Sequence, residues 1–405
     1  MTDVLSDITR NGLCMGCGAC VAAIADPKLK MSISKDGFLR PVLSAPLSQS
    51  ENDTVKALCV GRSLSHDDIG NDYHPIWGPV RWLGTGYASD PEVRYRGSSG
   101  GVISAIAIAL VEKGLVDFVV ATGADPKDPI GNITTPRRNR DEIVAAAGSR
   151  YAPSSPLVDI ERYLSEGKSF AFIGKPCDVA ALRQLAKRDP RIDQLVPYMI
   201  AFFCAGVPSR SGTVGVLAAM GVDEANVAAF RYRGDGWPGL ARAKCLDGTE
   251  KTMDYNSSWG TILNRHLQFR CKICPDGTGE FADIACADAW YGDNGYPDFS
   301  ERSGRSLIVA RTSVGNALIC QLAEEGRIRV ETIEVSEISK MQPYQVHRKR
   351  HLISRVFATW LLRNRSPHYR NFALSLTIRQ ATFRSIIRDF LGTVKRLPRR
   401  STSLD

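Results

Sequence analysis

The segment Ser169-Phe-Ala-Phe-Ile-Gly-Lys-Pro-Cys177, with the residues that follow it to Lys187, decides the fold class. Its apolar start has the length of a buried strand, and the stretch after Cys177 has the spacing of an amphipathic helix. Similar apolar runs stand at 116–122 and 196–204, and Gly97-Ser-Ser-Gly-Gly101 precedes a helical stretch at 102–113. Strands that alternate with helices in this way predict an α/β fold with a mixed, partly parallel sheet core.

Composition narrows the class of protein. The chain has 405 residues, a length that suggests two or three domains. Of these residues, 43% are hydrophobic and 23% charged, values that are typical of a globular protein. No uninterrupted apolar run reaches the roughly 18 residues that a membrane helix requires. The polar N-terminus lacks a signal-peptide pattern, so we expect a cytoplasmic protein.

The positive charge of the chain is concentrated in one segment. The formal net charge is +9, but residues 345–405 hold 14 Lys and Arg against 2 Asp and Glu, which leaves −3 for the rest. Such a segment fits an acidic partner, a membrane surface, nucleic acid, or simply a solvated helical face. Nucleic acid is the least favoured, because the body is acidic and no known nucleic-acid-binding module is present.

The first cysteine cluster is Cys14-Met-Gly-Cys17-Gly-Ala-Cys20. Without a signal peptide, clustered cysteines indicate a metal or redox site rather than disulfides. Three thiolates at this spacing, with glycines that allow tight turns, favour an iron–sulfur cluster over zinc or unligated thiols. Ile24 stands where a bacterial ferredoxin has its fourth cysteine, so the fourth ligand comes from elsewhere, and Cys59 is the nearest candidate.

A second cluster is built around Cys271-Lys-Ile-Cys274. One C-x2-C pair is weak by itself, since it fits half a zinc site or a redox pair equally well. Two further cysteines follow predicted strands, where ligands collect in α/β sheets. The candidates for a second four-thiolate site are therefore Cys177, Cys204, Cys271 and Cys274, with Cys286 as a competitor. Cys245 and Cys320 are expected to be ordinary buried residues.

Taken together, these motifs resemble the family of coenzyme F420 hydrogenase/dehydrogenase beta subunits, which includes 7-hydroxymethyl chlorophyll a reductase. The resemblance covers about residues 10–345. It rests on the first cysteine cluster and on Tyr95-Arg-Gly-Ser-Ser-Gly-Gly101, Gly148-Ser-Arg-Tyr-Ala-Pro153, Phe172-Ile-Gly-Lys-Pro-Cys177, Phe203-Cys-Ala-Gly206, Arg231-Tyr-Arg-Gly-Asp-Gly-Trp-Pro-Gly239, Cys271-Lys-Ile-Cys274-Pro-Asp276, and Ala282-Asp-Ile284 with Asp288-Ala-Trp290. The stretch Cys286-Ala287 departs from the family pattern and leaves the ligand set open.

The resemblance implies an oxidoreductase with FAD and one or two [4Fe–4S] clusters. It would pass electrons between an iron–sulfur donor, ferredoxin or a partner redox subunit, and a small organic substrate. The implied organisation is a ferredoxin-like iron–sulfur module with a connector at 1–79, a flavin and iron–sulfur catalytic α/β domain at 80–345, and a basic helical segment at 346–405. We expect peripheral membrane or partner contact through that last segment, whose helical pattern breaks at Pro367 and Pro398.

A flavin requires a cradle for its pyrophosphate, and the loop Gly97–Gly101 before a helix offers backbone N–H groups and a positive helix end. Arginines beside that loop add charge-assisted hydrogen bonds, and a lysine beside Cys177 would raise the potential of a cluster. The alternatives are a glycine-rich turn that only packs closely, a helix cap at Ser149 and core aromatics at Trp237 and Trp290. The candidate cofactor-binding residues are Arg94, Arg96, Ser98, Ser99, Gly100, Gly101, Ser149, Arg150, Tyr151, Lys175, Asp235 and Asp288.

Two other functions remain open at this point. One is a non-catalytic electron-transfer subunit that works only inside a larger complex. The other is a zinc-stabilised nucleic-acid-binding protein that uses the basic tail. Neither the organic substrate nor a general acid can be chosen from the sequence.

Overall fold

A computed structural model describes residues 3–67, 70, 72–292 and 297–397. An eight-stranded sheet forms its centre, and four neighbouring strands in the middle of that sheet are parallel. The strand order is Ile328–Thr332, Trp82–Ala88, Ser306–Ala310, Ile284–Asp288, Tyr198–Phe202, Phe170–Gly174, Phe118–Asp125 and Asp128–Arg137. The remaining pairs are antiparallel, so the sheet is mixed and partly parallel, as predicted.

The strand Phe170–Gly174 shows why the centre of the sheet forms. Phe170 and Phe172 are fully buried on one face, whereas Ala171 and Ile173 belong to the core of the other face. A strand that is apolar on both faces must lie between two layers, which is the usual situation of parallel strands. The next helix, Pro176–Ala186, begins with a proline, and the Asp178 carboxylate accepts the Lys175 N–H at 3.0 Å.

Helices cover both faces of the sheet. The face of Ala171 packs against Val102–Glu112 and Ser313–Glu324. The opposite face packs against Pro176–Ala186 and against residues of the N-terminal segment, such as Met15 and Leu58. The other helices around the sheet are Pro91–Arg96, Arg140–Ala145, Ile160–Ser165, Arg191–Leu195 and Arg210–Ala219.

Two smaller units adjoin the sheet. The N-terminal unit contains the helices Val4–Arg10, Ala19–Ile24 and Gln49–Leu58 and the antiparallel strands Leu29–Ile33 and Leu39–Leu43. The second unit is an antiparallel sheet of Val227–Arg231, Ala241–Cys245 and Glu250–Met253, preceded by the 3-10 turn Glu224–Asn226. The π-helix Asn256–Ile262, the 3-10 turn Leu263–His266 and the helix Phe269–Lys272 connect it to the centre.

The C-terminal segment packs back onto the N-terminal unit. Its strand His368–Arg370 pairs in parallel with Ser63–Ser65, and Leu352 shares a core with Leu5 and Ile273. The short strands Tyr73–His74 and Gly78–Pro79 complete the connector. The helices of this end of the chain are Val335–Met341, Pro343–Arg350, Leu352–Arg363, Leu374–Ile378 and Phe383–Arg396. The two ends of the chain therefore share a strand pair and a core. The domain boundaries at 79/80 and 345/346 stay predictions.

The predicted helix break at Pro367 follows the end of the helix Leu352–Arg363, and Pro398 lies outside the described residues. Within the described residues, no helix is both long enough and apolar enough to cross a membrane.

Candidate functional site

A cavity of about 990 Å³ opens at the carboxyl ends of the central parallel strands. Its volume is at the upper end of the range of small-molecule sites. Eight of the twelve predicted cofactor-binding residues line it: Ser98, Ser99, Gly101, Ser149, Arg150, Tyr151, Lys175 and Asp288. These residues come from four separate motifs, which the fold brings together around one space.

The loop Gly97–Gly101 is held tightly at the edge of this cavity. Gly101 adopts a φ of +74° and is the N-cap of the helix Val102–Glu112, and a Cβ there would lie 2.5 Å from the Val93 carbonyl oxygen. Ser98 Oγ accepts a hydrogen bond from Ser149 Oγ at 2.8 Å. The first N–H groups of this long helix are therefore presented at the cavity, where an anionic group would be stabilised.

Four predicted residues do not line the cavity. Arg94 donates to the Gly304 carbonyl at 2.8 Å and stacks on a tyrosine ring. Arg96 forms an ion pair with Asp235 at 2.7 Å, and the Gly100 N–H donates to Ser306 Oγ at 2.9 Å. Their contacts fix the loop from behind, so a role in positioning suits them better than direct contact with a ligand.

Arg150 lines the cavity, but each of its three nitrogens already donates one hydrogen bond. Its guanidinium donates to Asn132 Oδ1 at 2.8 Å and to the Phe230 and Gly131 carbonyls at 2.7 and 2.5 Å. It therefore joins the small antiparallel sheet to the central sheet and has little capacity left for a ligand.

Two arginines of the cavity wall were not among the predicted residues. Arg233 is 2% exposed and donates to both oxygens of Asp288 at 2.9 and 3.0 Å. It lies in the motif Arg231–Gly239, which was a signal that sequence reasoning could have used. Arg137 has a buried Nε without a hydrogen-bond partner among the described residues, and burial lowers its pKa. No motif marks Arg137, although its unsatisfied donor is what an anionic ligand would engage.

The first thiol set consists of Cys14, Cys17, Cys20 and Cys59, which the fold brings together. Burial raises the pKa of the Cys17, Cys20 and Cys59 thiols, and their neighbours in the set raise it further. Gly16 and Gly18, which lie between these cysteines, have φ values of +78° and +87°, which glycine adopts readily. Cys59 caps the helix Gln49–Leu58, which carries it to the motif from 39 residues away.

The second thiol set consists of Cys177, Cys204, Cys271 and Cys274. Burial raises the pKa of Cys177, Cys204 and Cys274, for Cys204 to about 12, and neighbouring thiols of the set raise these pKa values further. Cys177 lies in the first turn of a helix, and Cys204 follows the strand Tyr198–Phe202. Cys204 also lines the cavity, so this set and the cavity share a wall.

The spacing of the thiols suits a group larger than one ion. Within the described residues, only His347, His351 and Asp389 place three ligand atoms all within 4.8 Å of one another. Neither thiol set meets that limit, whereas a tetrahedral zinc site with bonds of about 2.3 Å to sulfur requires it. Both sets therefore fit a cluster of several metal atoms better than they fit zinc.

Two side chains connect the thiol sets. Gln268 Nε2 donates to the Met15 carbonyl at 3.3 Å and to Cys271 Sγ at 3.4 Å. Arg270 is fully buried, and its positive charge acts to lower the pKa of the Cys59 thiol. Burial acts to lower the pKa of Arg270 itself, but Tyr369 and the thiols of the second set outweigh burial and raise it. Both contacts indicate that the two sets are neighbours in the fold.

Buried cations surround the second thiol set. Burial acts to lower the pKa values of Lys175 and Arg348, but neighbouring groups raise them overall. For Lys175 these groups are Asp178, 2.7 Å away, and the thiols of Cys177 and Cys204. For Arg348 they are Tyr344 and three thiols of the set. With Arg270, three buried cations therefore face this set.

Comparison with known proteins rests on two family models. Coenzyme F420 hydrogenase/dehydrogenase, beta subunit N-term, matches residues 84–160, and the model for the C terminus of the same beta subunit matches residues 167–336. Together they cover more than half of the chain. The chain belongs to the coenzyme F420 hydrogenase/dehydrogenase beta subunit family. Its homologues are oxidoreductases, which supports an oxidoreductase role.

Relatives of this beta subunit family member come from archaea and plants. The F420-dependent formate dehydrogenase 1 subunit beta of Methanococcus maripaludis is 35% identical over 60% of each chain. The chloroplastic 7-hydroxymethyl chlorophyll a reductase of Oryza sativa subsp. japonica is 26% identical over 54% of this chain and 45% of the reductase. The chain thus spans less than two thirds of the length of either relative.

A solved structure shares the fold. A chain of the F420-reducing [NiFe] hydrogenase complex from Methanosarcina barkeri superposes with a TM-score of 0.55 at 19% identity, over 73% of this chain and 98% of that one. The family models include the cavity loops and the second thiol set. The first thiol set and the helices beyond residue 336 lie outside them.

The other cysteines of this beta subunit family member stand apart from both sets. Cys286 is buried in the strand Ile284–Asp288 and lines the cavity, and burial alone raises its pKa to about 12. Its side chain packs in the core on one face of the sheet, whereas Cys177 packs against the core on the other face, so its role as a competitor for the second set stays a prediction. Cys245 is buried in the small antiparallel sheet, as predicted. The same prediction was wrong for Cys320, which lies on the exposed side of the helix Ser313–Glu324.

Proposed function

We propose that this protein is a flavin- and [4Fe–4S]-dependent oxidoreductase. It would pass electrons between an iron–sulfur donor, ferredoxin or a partner redox subunit, and a small organic acceptor via FAD. The observation that carries the proposal is the position of Cys204, which belongs to the second thiol set and lines the cavity. A metal cluster and an organic cofactor could thus be held on the two sides of one wall.

The thiol sets are the proposed cluster ligands. Cys14, Cys17, Cys20 and Cys59 would hold one [4Fe–4S] cluster, and Cys177, Cys204, Cys271 and Cys274 the other. The raised thiol pKa values mean that cluster binding must displace protons from these sites. Gln268, which contacts both motifs, and Arg270, between the sets, would fix the path from one cluster to the other.

The cavity is the proposed FAD site. Bound FAD supplies the exchange of one or two electrons, which lets single electrons from clusters become a hydride equivalent. The N–H groups at the start of the helix Val102–Glu112 fit phosphate oxygens, and so does the Nε of Arg137, which has no hydrogen-bond partner among the described residues. Ser98, Ser149 and Tyr151 offer hydroxyls for the polar chain of the cofactor.

An electron-transfer subunit without its own substrate site is the second candidate. Two observations favour it. Several relatives are beta subunits of larger enzymes, and the structural neighbour is a chain of a hydrogenase complex. Assays of the isolated chain with an artificial electron donor and a panel of organic acceptors would separate the two candidates. Turnover by the isolated chain requires a substrate site, whereas reduction without turnover favours the subunit. The cytoplasmic location is part of the proposal.

The decisive test is anaerobic purification with quantitation of iron, sulfide, zinc and flavin. We expect about eight irons and about one FAD per chain. About four irons would remove one cluster from the proposal. Zinc without iron or flavin would overturn it and would favour the zinc-stabilised binding protein instead.

A further inference from the structure

Two neighbouring C-terminal helices, Leu352–Arg363 and Phe383–Arg396, contact each other through buried polar side chains. In the second helix, the buried residues are Asp389 and Thr393, which are 6% and 3% exposed. The first helix buries polar residues such as Arg355 and Thr359 together with the apolar Leu352 and Ala358. A surface helix normally buries its apolar stripe and exposes its polar one, and in the second helix this arrangement is reversed.

Specific hydrogen bonds maintain this reversed packing. The Arg355 guanidinium donates to Asp389 Oδ1 through Nε at 3.0 Å and through a terminal nitrogen at 2.6 Å. His351 and Ser385 form a further hydrogen bond of 2.9 Å between the same helices. Because a buried carboxylate paired with arginine fixes one orientation, the helix Phe383–Arg396 cannot rotate to hide its apolar side without losing these bonds.

The outward side of the pair is strongly apolar. We call it the outer face and define it by Phe357, Trp360, Leu361, Phe383, Ile387 and Leu391, all of which are exposed. Phe383 and Leu391 are 75% and 58% exposed. The face is continuous across the two helices, since Phe357 packs against Trp360 on one side and Phe390 on the other. A patch of this kind marks an interaction site.

Cations border the outer face. Arg384, Arg388 and Lys395 are exposed on the same helix, and none of them forms an ion pair in the part of the chain that the structure describes. Residues 345–405 carry a net charge of +12, whereas the rest of the chain carries −3. The charge distribution therefore orients this end of the molecule toward a negative surface.

We propose that the outer face binds peripherally to the surface of an anionic lipid bilayer. Aromatic and leucine side chains beside arginine and lysine are the composition of helices that lie in the membrane interface. Both helices are far shorter than the roughly 20 residues that span a bilayer, so they would lie along it. The inference is independent of the cofactors, because none of the outer-face residues lines the cavity or belongs to a thiol set.

The test is sedimentation of the full-length holoprotein with vesicles. Vesicles of phosphatidylcholine with about 30 mol% phosphatidylglycerol should bind it, and phosphatidylcholine alone should bind it much less. Ile387→Ser and Leu391→Ser should each weaken partitioning roughly tenfold, because each removes an apolar side chain from the interface. Arg384→Gln combined with Arg388→Gln should weaken it roughly 25-fold on anionic vesicles, and added salt should mimic that loss.

Matched controls lie elsewhere on the surface. Leu246→Ser removes a leucine that is 70% exposed in a hairpin turn, and Lys244→Gln with Lys251→Gln removes two exposed cations of the same sheet. These variants should bind vesicles as the wild type does. Circular dichroism of every variant should match that of the wild type, since all substituted side chains point to solvent.

Three outcomes would overturn the proposal. The first is no binding of the wild type to anionic vesicles at low salt. The second is binding that the control substitutions weaken as much as the outer-face substitutions do. The third is a dimer in light scattering without lipid that Ile387→Ser and Leu391→Ser dissociate, because the outer face would then be covered by a second copy.

Discussion

The Arg348 guanidinium donates to the main-chain carbonyl of Cys204 at 2.8 Å. This contact joins the helix Pro343–Arg350 to the thiol that lies at the boundary between the second thiol set and the cavity. Arg348 is 3% exposed, so its charge acts on the thiols with little screening by water. The helix Pro343–Arg350 thus contributes directly to the electrostatics of the site.

We therefore expect Arg348→Gln to lower the reduction potential of the cluster proposed for the second thiol set. A buried positive charge stabilises the reduced cluster, and its loss should shift the potential by roughly 50–100 mV. An EPR-monitored redox titration measures this shift. Arg350→Gln is the matched control, because Arg350 donates to Gln380 at the surface. Equal shifts for both variants, or for both clusters in Arg348→Gln, would contradict the assignment.

Iron content should distinguish ligands from other cysteines. Cys177→Ser and Cys17→Ser should each reduce iron from about eight to about four atoms per chain, because each removes a ligand of a different cluster. Cys286→Ser should retain the full iron content, since the Cys286 side chain packs in the core on the opposite face of the sheet from Cys177. Iron and sulfide assays on anaerobically purified variants give the result. Iron loss in Cys286→Ser equal to that in Cys177→Ser would show that the ligand set is different.

Two glycines with similar backbone dihedral angles allow steric crowding of an added Cβ to be distinguished from backbone strain. Gly101 and Gly114 have φ values of +74° and +65°, but only at Gly101 would a Cβ meet another atom, the Val93 oxygen. Gly114→Ala should cost about 1 kcal/mol, whereas Gly101→Ala should cost roughly 2–3 kcal/mol more and displace the loop.

Flavin per chain after gel filtration, together with the melting temperature, measures both effects. We expect Gly101→Ala to lose most of its flavin and Gly114→Ala to retain it. Full flavin content in Gly101→Ala would argue against the helix start at Val102 as part of the flavin site.

Three of the four parallel strands could be predicted because they are short apolar runs, whereas Ile284–Asp288 was not among the predicted strands. Phe170–Gly174 and Tyr198–Phe202 stand out as short apolar runs followed by turns. The strand Trp82–Ala88 carries two glycines, and its partners Ser306–Ala310 and Ile328–Thr332 lie more than 200 residues away. Long-range pairing of this kind leaves no local pattern, so these antiparallel pairs could not be predicted.

The same distinction applies to the site. Cys177 and Cys204 follow neighbouring parallel strands, whose carboxyl ends meet at one edge, so their proximity could be predicted. Arg137 is a proposed ligand-binding residue because its buried Nε has no partner in the part of the chain that the structure describes, which is a property of packing and has no sequence signature. The outer face could not be predicted either. An amphipathic sequence shows that a helix has an apolar side and a polar side, but it does not show which side packs against the rest of the protein.

Glu280 should make stability depend on pH. Its buried carboxylate accepts hydrogen bonds from His66 at 2.9 Å and Tyr73 at 2.7 Å, and it forms an ion pair with Lys349. Burial acts to raise the pKa of Glu280, but Lys349 and His66 outweigh it and lower the pKa to about 2. Because this pKa is below the unfolded value of about 4.3, the stabilisation is fully present above pH 4.3 and is lost as the pH falls toward 2.

Glu280→Gln should therefore lower the free energy of unfolding at neutral pH by about 3–5 kcal/mol, because it leaves Lys349 buried without a counter-charge. The difference from the wild type should shrink as the pH falls below about 4.3. Adding Lys349→Met should recover much of the loss, since the unpaired charge is removed. Glu250→Gln, at an exposed ion pair, should change stability by less than about 1 kcal/mol. Anaerobic urea unfolding measures all four proteins, and a Glu280→Gln variant as stable as Glu250→Gln would refute the role of this ion pair.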